Sequence, residues 1–129
     1  MKSDLPMFQP RAHDPDKTAF VMCATGESVS FGELEARANQ GAHLLRTAGI
    51  GRGQHIAILM ENRRDFLEIC FAADRTGVYY TTISTHLTRD EIAYILADCG
   101  ARLLICSDRY LDLLAQLEPG LNARCDIYF

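Results

Sequence analysis

The pattern of apolar and polar residues changes character along the chain. Over residues 31–48, apolar side chains recur at the spacing of a helix that buries one face. From residue 55 onward, short runs of consecutive apolar residues alternate with amphipathic stretches. The run at residues 55–60 is continuous rather than alternating, which is typical of a strand covered on both faces. The pattern predicts strands at residues 55–60, 79–83, 102–106 and 125–129, with a helix between each pair.

The N-terminal part shows a different pattern. Residues 1–17 are predicted to be irregular because prolines interrupt them. The short apolar runs 19–23 and 28–31 flank a Thr-Gly-Glu-Ser turn, which predicts a β-hairpin. The expected fold class is therefore α/β: an N-terminal β-hairpin and helix, followed by β-α-β-α-β-α-β units with a mainly parallel sheet.

Helix ends are marked by capping residues and glycines. Ser30 with Glu33, and Thr88 with Glu91, have the spacing of capping boxes. Polar residues before the other two helical stretches, Asn62 and Ser107, are also predicted to be N-caps. The predicted helix ends are Gly49, Gly77 and Gly100.

Two further glycine features carry predictions of their own. Gly41 interrupts the first helical stripe and is expected to permit close packing on the sheet. The glycine-rich segment 49–53 precedes a strand, whereas a dinucleotide-binding loop follows one. It is therefore predicted to form a helix-to-strand turn.

The end of the chain falls inside the last apolar run. We therefore expect residues 1–129 to be the N-terminal portion of a larger domain, with no internal boundary. The alternative is a complete small domain with a terminal edge strand.

Composition narrows the function classes. The 129 residues are 48% hydrophobic and carry a net charge of -4, which argues against a nucleic-acid or anionic-membrane surface. No apolar run reaches the roughly 18 residues of a membrane span, and no signal peptide is recognisable, so a cytoplasmic location is predicted. The five cysteines show neither C-x-x-C nor metal-ligand spacing and are expected to be buried, reduced thiols.

Candidate chemistry lies in the loops that follow the strands, where open parallel sheets bind ligands. Arg63 and Arg64 could hold an anion at a helix N-terminus; the simpler interpretation is that Asn62 caps the helix and both arginines are solvated. His86 and Thr85 are the candidate substrate-side residues. No phosphate-binding loop or nucleophile elbow occurs in the sequence, and Glu61 alone does not form the carboxylate cluster of a phospho-acceptor domain.

The other histidines give weaker signals. His55 opens an apolar strand and is predicted to be structural, and no partner is apparent for His13 or His43.

Six short motifs follow one another in a fixed order. No single motif is specific, but their order and spacing together resemble the adenylate-forming enzymes: acyl-CoA synthetases, peptide-synthetase adenylation domains and luciferases. Residues 79–88 look most similar to bacterial fatty-acid–CoA ligases. The motifs are VSFGEL (29–34), GIGRGQHIAI (49–58), ENRRDFL (61–67), DRTGVYYTTIS (74–84), LTRDEI (87–92) and DCGARL (98–103).

The resemblance implies a two-step ligase reaction. A carboxylate, here a fatty or similarly apolar acid, attacks the α-phosphate of ATP to give an acyl-adenylate, and coenzyme A then displaces AMP. The implied cofactors are ATP, Mg²⁺ and coenzyme A.

This sequence departs from the family pattern in several places. Thr82 replaces the usual Pro, and Ser84 replaces the usual Asp or Asn. The family's Ser/Thr/Gly-rich loop with its Lys, its Y-G-x-T-E segment, its ribose-binding Asp and its C-terminal catalytic Lys do not occur in residues 1–129. We therefore assign no catalytic, cofactor-binding or metal-binding residue and expect the chain alone to be inactive.

Two other expectations concern association. A self-contained flavodoxin-like binding or interaction domain without catalysis is the alternative function. Exposed sheet or helix faces also make a homo-oligomer possible.

Overall fold

The computed structural model describes residues 10–117 in full and the backbone of residues 124–127. Two short 3₁₀ turns, Pro10–Ala12 and Asp108–Tyr110, accompany the regular elements. In chain order these are β1 (Thr18–Val21), β2 (Ser28–Ser30), α1 (Phe31–Thr47), β3 (His55–Leu59), α2 (Arg64–Thr76), β4 (Tyr79–Thr82), α3 (Arg89–Asp98), β5 (Ala101–Cys106), α4 (Leu111–Leu117) and β6 (Arg124–Ile127).

The first two strands form the predicted hairpin. β1 and β2 pair antiparallel, and the Met22 N–H donates to the Glu27 oxygen at 2.7 Å across the turn. Gly26 in that turn has φ +74°, a conformation that residues with a Cβ rarely adopt.

The main sheet has the order β4–β3–β5–β6, and all its pairs are parallel. Ile56 of β3 lies opposite Tyr80 on one side and Leu103 on the other. The predicted β-α-β units are thus confirmed. The last strand is described for the backbone of residues 124–127 only. The predicted strand residues Tyr128 and Phe129 lie outside the described part of the chain.

Alternating strand residues point into two apolar layers. Ile56, Ile58 and Ile105 share one core cluster with residues of α1 and α2. Ala57 and Leu104 share the other with residues of α3 and α4. Burial on both faces explains the continuous apolar runs of β3 and β5, whereas the edge strand β4 is exposed at Tyr79 and Thr82.

Both predicted capping boxes are present. Ser30 Oγ accepts from the Glu33 N–H at 3.1 Å, and the Ser30 N–H donates to Glu33 Oε2 at 2.9 Å. Thr88 and Glu91 make the same reciprocal pair at the start of α3. These pairs satisfy N–H groups that have no partner within the helix.

The Asn62 cap prediction is wrong. α2 begins one residue later than expected, its N-cap is Arg63, and no side chain caps it. Instead, Asp65 in the first turn pairs with Arg63 at 2.9 Å. A carboxylate at this position interacts favourably with the positive end of the helix dipole.

Gly41 packs against a helix rather than on the sheet. A Cβ built on Gly41 would lie 2.8 Å from the Cβ of Ala72 in α2. The expectation of close packing is confirmed, but its partner was predicted wrongly, because α1 and α2 lie side by side on the same face of the sheet.

The cysteine prediction holds only in part. Cys70 and Cys106 are buried and Cys99 is half-buried, but Cys23 lies exposed beside the hairpin turn. None of these four forms a disulfide bond, and Cys125 is outside the residues with described side chains. Burial raises the pKa of Cys70 to about 11, although a hydrogen bond with Tyr80 opposes the shift, so this thiol is protonated and unreactive at neutral pH.

Candidate functional site

Three loops meet at the carboxyl edge of the parallel sheet. They follow β3, β4 and β5, and comprise residues 60–63, 83–88 and 107–110. Because β3 lies between β4 and β5, its loop is the central one. This edge is where open α/β sheets bind ligands.

A half-buried hydrogen bond joins two of these loops. Ser107 Oγ donates to Glu61 Oε2 at 2.5 Å, and the Ser107 N–H donates to the Leu59 oxygen at 3.3 Å. Ser107 is 0% exposed. Its side chain therefore ties the ends of β3 and β5 together. Ser107 precedes the 3₁₀ turn, but its side chain makes no capping hydrogen bond. The prediction that the Ser107 side chain caps a helix is therefore wrong.

Sequence reasoning missed this pair because its members are 46 residues apart. The available signal was positional, since each residue follows the apolar run of a strand at the same edge. A polar pair at adjacent strand ends is a natural consequence of the parallel register between Leu59 and Cys106.

The Glu61 carboxylate is held in its charged form. Burial, the largest single influence, raises its pKa, but the Ser107 hydrogen bond, a backbone hydrogen bond and the charges of Arg63 and Arg109 together outweigh it. The net effect is a lowered pKa. The central loop thus presents an ionised carboxylate with two guanidinium groups nearby.

The two arginines at the start of α2 already have carboxylate partners. Arg63 pairs with Asp65 at 2.9 Å, and Arg64 pairs with Glu27 at 2.6 Å and with Glu68 at 3.3 Å. The arginines are ion-paired rather than simply solvated, and an added anion would compete with three carboxylates. The pairing with Glu27 also attaches the hairpin turn to the start of α2.

His86 and Thr85 lie at the same edge, in the loop after β4. The His86 ring is exposed and Thr85 is half-buried. The His86 N–H donates to Ser84 Oγ at 3.3 Å, which shapes the loop just before the Thr88 cap. Their substrate-side role stays a prediction.

Two other histidines have ring partners. His55 stacks on Tyr79 with ring centroids 5.0 Å apart, at the amino edge of the sheet, in keeping with its predicted structural role. His13, for which the sequence showed no partner, stacks on Phe31 at 4.2 Å.

A cavity of about 180 Å³ lies elsewhere, between α1 and α2. Apolar side chains such as Leu44 and Ile69 line it together with Arg37, Asp65 and Glu68. None of its lining residues belongs to the three loops.

Within residues 10–117, no group of three or more His, Cys, Asp or Glu side chains is placed to hold a metal ion. No helix of the described part is long and apolar enough to cross a bilayer.

The sequence that folds into this hairpin, helix and parallel β-α units matches a known family along almost its whole length. The sequence profile of the AMP-binding enzyme family matches residues 8–127. The chain belongs to the AMP-binding enzyme family.

Individual relatives give finer comparisons. The chain is 32% identical over 98 residues to the fatty acid–[acyl-carrier-protein] ligase ScoC of Streptomyces coeruleorubidus, covering 76% of this chain and 18% of ScoC. It is 31% identical over 91 residues to the long-chain-fatty-acid–CoA ligase FadD13 of Mycobacterium tuberculosis, covering 70% of this chain and 18% of FadD13. The chain thus spans about a fifth of these relatives.

A solved structure confirms the fold. The inhibitor-bound N-terminal domain of FACL13 from Mycobacterium tuberculosis superposes with a TM-score of 0.83 at 25% sequence identity. The match covers 93% of this chain and 31% of that domain. The expected architecture, a hairpin and helix followed by parallel β-α units, is the one found in the matched part of this relative.

Proposed function

We propose that this chain is the N-terminal portion of the large AMP-binding domain of an ATP-dependent acid–thiol ligase. The ligase activates a fatty or similarly apolar carboxylic acid as an acyl-adenylate and transfers the acyl group to coenzyme A. The observation that carries the proposal is the family match over residues 8–127. The proposed substrate class is supported by two relatives, ScoC and FadD13, which are both named as fatty-acid ligases.

The reaction has two balanced steps. A carboxylate oxygen of the acid forms a bond to the α-phosphorus of ATP, and pyrophosphate leaves. The thiolate of coenzyme A then bonds to the acyl carbon, and AMP leaves. Mg²⁺ supplies charge neutralisation on the phosphates when bound, but the described residues offer no ligand cluster for it.

This chain is proposed to contribute the α/β scaffold and the three loops at the carboxyl edge of its sheet. The Ser107–Glu61 hydrogen bond fixes the loops after β3 and β5, and the His86 loop lies beside them on β4. Catalytic groups of the reaction are proposed to lie outside residues 1–129, so the chain alone is proposed to be inactive. A cytoplasmic location is likewise proposed.

Two thiols are candidates for the acceptor of the acyl group. ScoC, whose printed name specifies an acyl carrier protein, is as similar to this chain as the coenzyme A ligase FadD13. A carrier-protein phosphopantetheine thiol is therefore the second candidate acceptor. The chemistry of thiol attack on the acyl-adenylate is the same for both.

The test begins with the coding sequence beyond the Phe129 codon and the protein it encodes. Carboxylate-dependent exchange of pyrophosphate into ATP is measured with a series of fatty acids, and a short hydroxy acid is the control. We expect exchange with fatty acids, and product formation with coenzyme A exceeding that with a carrier protein. Absence of exchange with every acid, or AMP formation by chain 1–129 alone, contradicts the proposal.

His86 provides a sharper probe of the loop edge in that encoded protein. If His86 contacts the substrate, His86→Ala raises KM for the acid or the acceptor by roughly three- to tenfold and leaves the melting temperature unchanged. Tyr94→Ala, an exposed aromatic change on α3, is the matched control. Unchanged kinetic constants for His86→Ala would remove His86 and its loop from the site.

A further inference from the structure

The hydrogen bond between Ser107 and Glu61 is fully buried at its donor end. Ser107 is 0% exposed, and its Oγ donates to Glu61 Oε2 at 2.5 Å. The Ser107 N–H donates to the Leu59 oxygen at 3.3 Å, so both donors of this residue are engaged. One of these bonds goes to the end of β3 and the other to the loop that follows it. Together they fix the first residue of the loop after β5.

An apolar side chain would satisfy the packing at position 107 more simply. Ser107 follows Cys106, which is also 0% exposed, at the end of a strand that is buried from Leu103 onward. Burying a hydroxyl costs free energy unless the hydroxyl is hydrogen-bonded, and burial of Glu61 opposes its charged form. What the polar pair adds is directionality, which apolar contacts lack. The pair therefore points to a need for one defined placement of the two loops.

The charges around Glu61 come from both loops. Arg63 belongs to the loop after β3 and Arg109 to the loop after β5, and the positive charge of each lowers the pKa of Glu61. Arg63 is itself fixed to the start of α2 by its ion pair with Asp65 at 2.9 Å. The carboxylate is thus attracted to groups on both loops at once, which favours one distance between them.

The opposite, amino edge of the sheet is joined by different contacts. His55 stacks on Tyr79 with ring centroids 5.0 Å apart, and the Tyr79 N–H donates to the Gln54 oxygen at 2.9 Å. Tyr79 is 61% exposed. The carboxyl edge, where open parallel sheets bind ligands, is joined instead through a fully buried hydroxyl and an ionised carboxylate. This directional contact between strand ends therefore lies on the edge that is proposed to face the substrates.

We infer that Ser107 and Glu61 are positioning residues of the proposed ligase, which together hold the loops after β3 and β5 in the arrangement that binds one of its substrates. Neither residue needs to touch that substrate, since the effect runs through the loop backbone and through Arg63 and Arg109. The inference rests on the proposed function, because it gives the carboxyl edge a part in substrate binding. Loss of the contact is expected to weaken binding rather than the chemical step, whose catalytic groups are proposed to lie outside residues 1–129.

The test is a double-mutant cycle in the protein that the complete coding sequence encodes. The variants are Ser107→Ala, Glu61→Ala and the two combined, and KM is measured separately for the acid, ATP and coenzyme A. We expect each single change to raise KM for one and the same substrate by roughly tenfold and to leave kcat within about twofold. The double variant should be no worse than Glu61→Ala alone, because Ser107 acts through Glu61.

The control for the serine substitution is Ser28→Ala, at an exposed position of β2, which should leave every kinetic constant unchanged. A merely structural role predicts another result: less folded enzyme lowers kcat and leaves KM unchanged, and that result contradicts the inference. Single effects that multiply in the double variant also contradict it, since the two residues would then act separately.

Two further outcomes separate this inference from the function on which it rests. An active wild-type enzyme whose KM values neither substitution changes overturns the inference alone, whereas a wild-type protein that is inactive with every acid overturns the proposed function as well. If the alanine variants do not fold, Glu61→Gln decides, because it keeps the shape of the side chain and removes its charge. An unchanged KM for Glu61→Gln would then overturn the inference.

Discussion

The two helical layers that cover the sheet are held together by different forces. Between α1 and α2, Arg75 donates to both carboxylate oxygens of Glu35, at 3.1 and 2.6 Å, and Arg37 donates to Glu68 at 3.2 Å. In the α3–α4 layer, buried leucines and isoleucines make the contacts. The ion pair found on residues 89–117 is local and exposed, between Arg89 and Asp90.

The ion pairs form where α1 and α2 lie side by side. Helix α1 enters from the hairpin and lies beside α2, so the two helices meet along a long polar seam above their apolar stripes. Glu68 sits within that seam, only 5% exposed, with Arg37 and Arg64 as partners. Charge pairs of this kind favour one relative placement of two helices, whereas apolar contacts stabilise without strong directionality.

The largest expected effect tests the apolar layer. Leu96 of α3 is 3% exposed and packs in the second core cluster. Leu96→Ala is expected to lower the free energy of unfolding by about 2–5 kcal/mol, because it removes buried methyl groups and leaves a cavity. Urea denaturation measures the change. Tyr94→Ala, two residues earlier and 70% exposed, should cost almost nothing; equal losses for both would place α3 off the sheet.

Local signals in the sequence predicted most of this fold. The capping boxes at Ser30 and Thr88 involve residues three positions apart, so their spacing alone shows them. The continuous apolar run at residues 55–60 likewise predicted a strand buried on both faces, and residues 56–59 of β3 are buried. Each of these features depends on neighbours along the chain, and each is confirmed.

Long-range partnerships could not be predicted in the same way. Ser107 was interpreted as a cap because its only visible neighbours were sequence neighbours, whereas its hydrogen bond runs to Glu61 on another strand. Gly41 was matched to the sheet rather than to Ala72, because the side-by-side placement of α1 and α2 emerges only from the tertiary arrangement. The sequence places the candidate residues His86 and Thr85 in a loop at the carboxyl edge, where the structure has them, but their substrate-side role stays a prediction, and the Ser107–Glu61 pair at that edge was missed.

The effect of intermediate size tests how tightly α1 and α2 pack against each other. Gly41→Ala places a Cβ 2.8 Å from Ala72 Cβ, so α1 and α2 must separate slightly. We expect a loss of about 1–3 kcal/mol from this overpacking, even though alanine is the better helix former. Gly51→Ala, in open space, is the matched control and should be neutral or slightly stabilising. Equal stability of both variants would show that the helices are loosely packed.

The smallest effect isolates charge from packing. Glu68→Gln keeps the shape of the side chain but removes the carboxylate shared by Arg37 and Arg64. The expected loss is only about 1–2 kcal/mol, because both arginines are partly exposed and Arg64 keeps Glu27 at 2.6 Å. The loss should shrink at high salt, which screens the partly exposed pairs, whereas the loss for Leu96→Ala should not shrink. Asp90→Asn, at the exposed pair on α3, is the control and should change stability by less than about 0.5 kcal/mol. If Glu68→Gln were equally neutral, the α1–α2 layer would be held by its apolar stripe alone, and the contrast between the two layers would disappear.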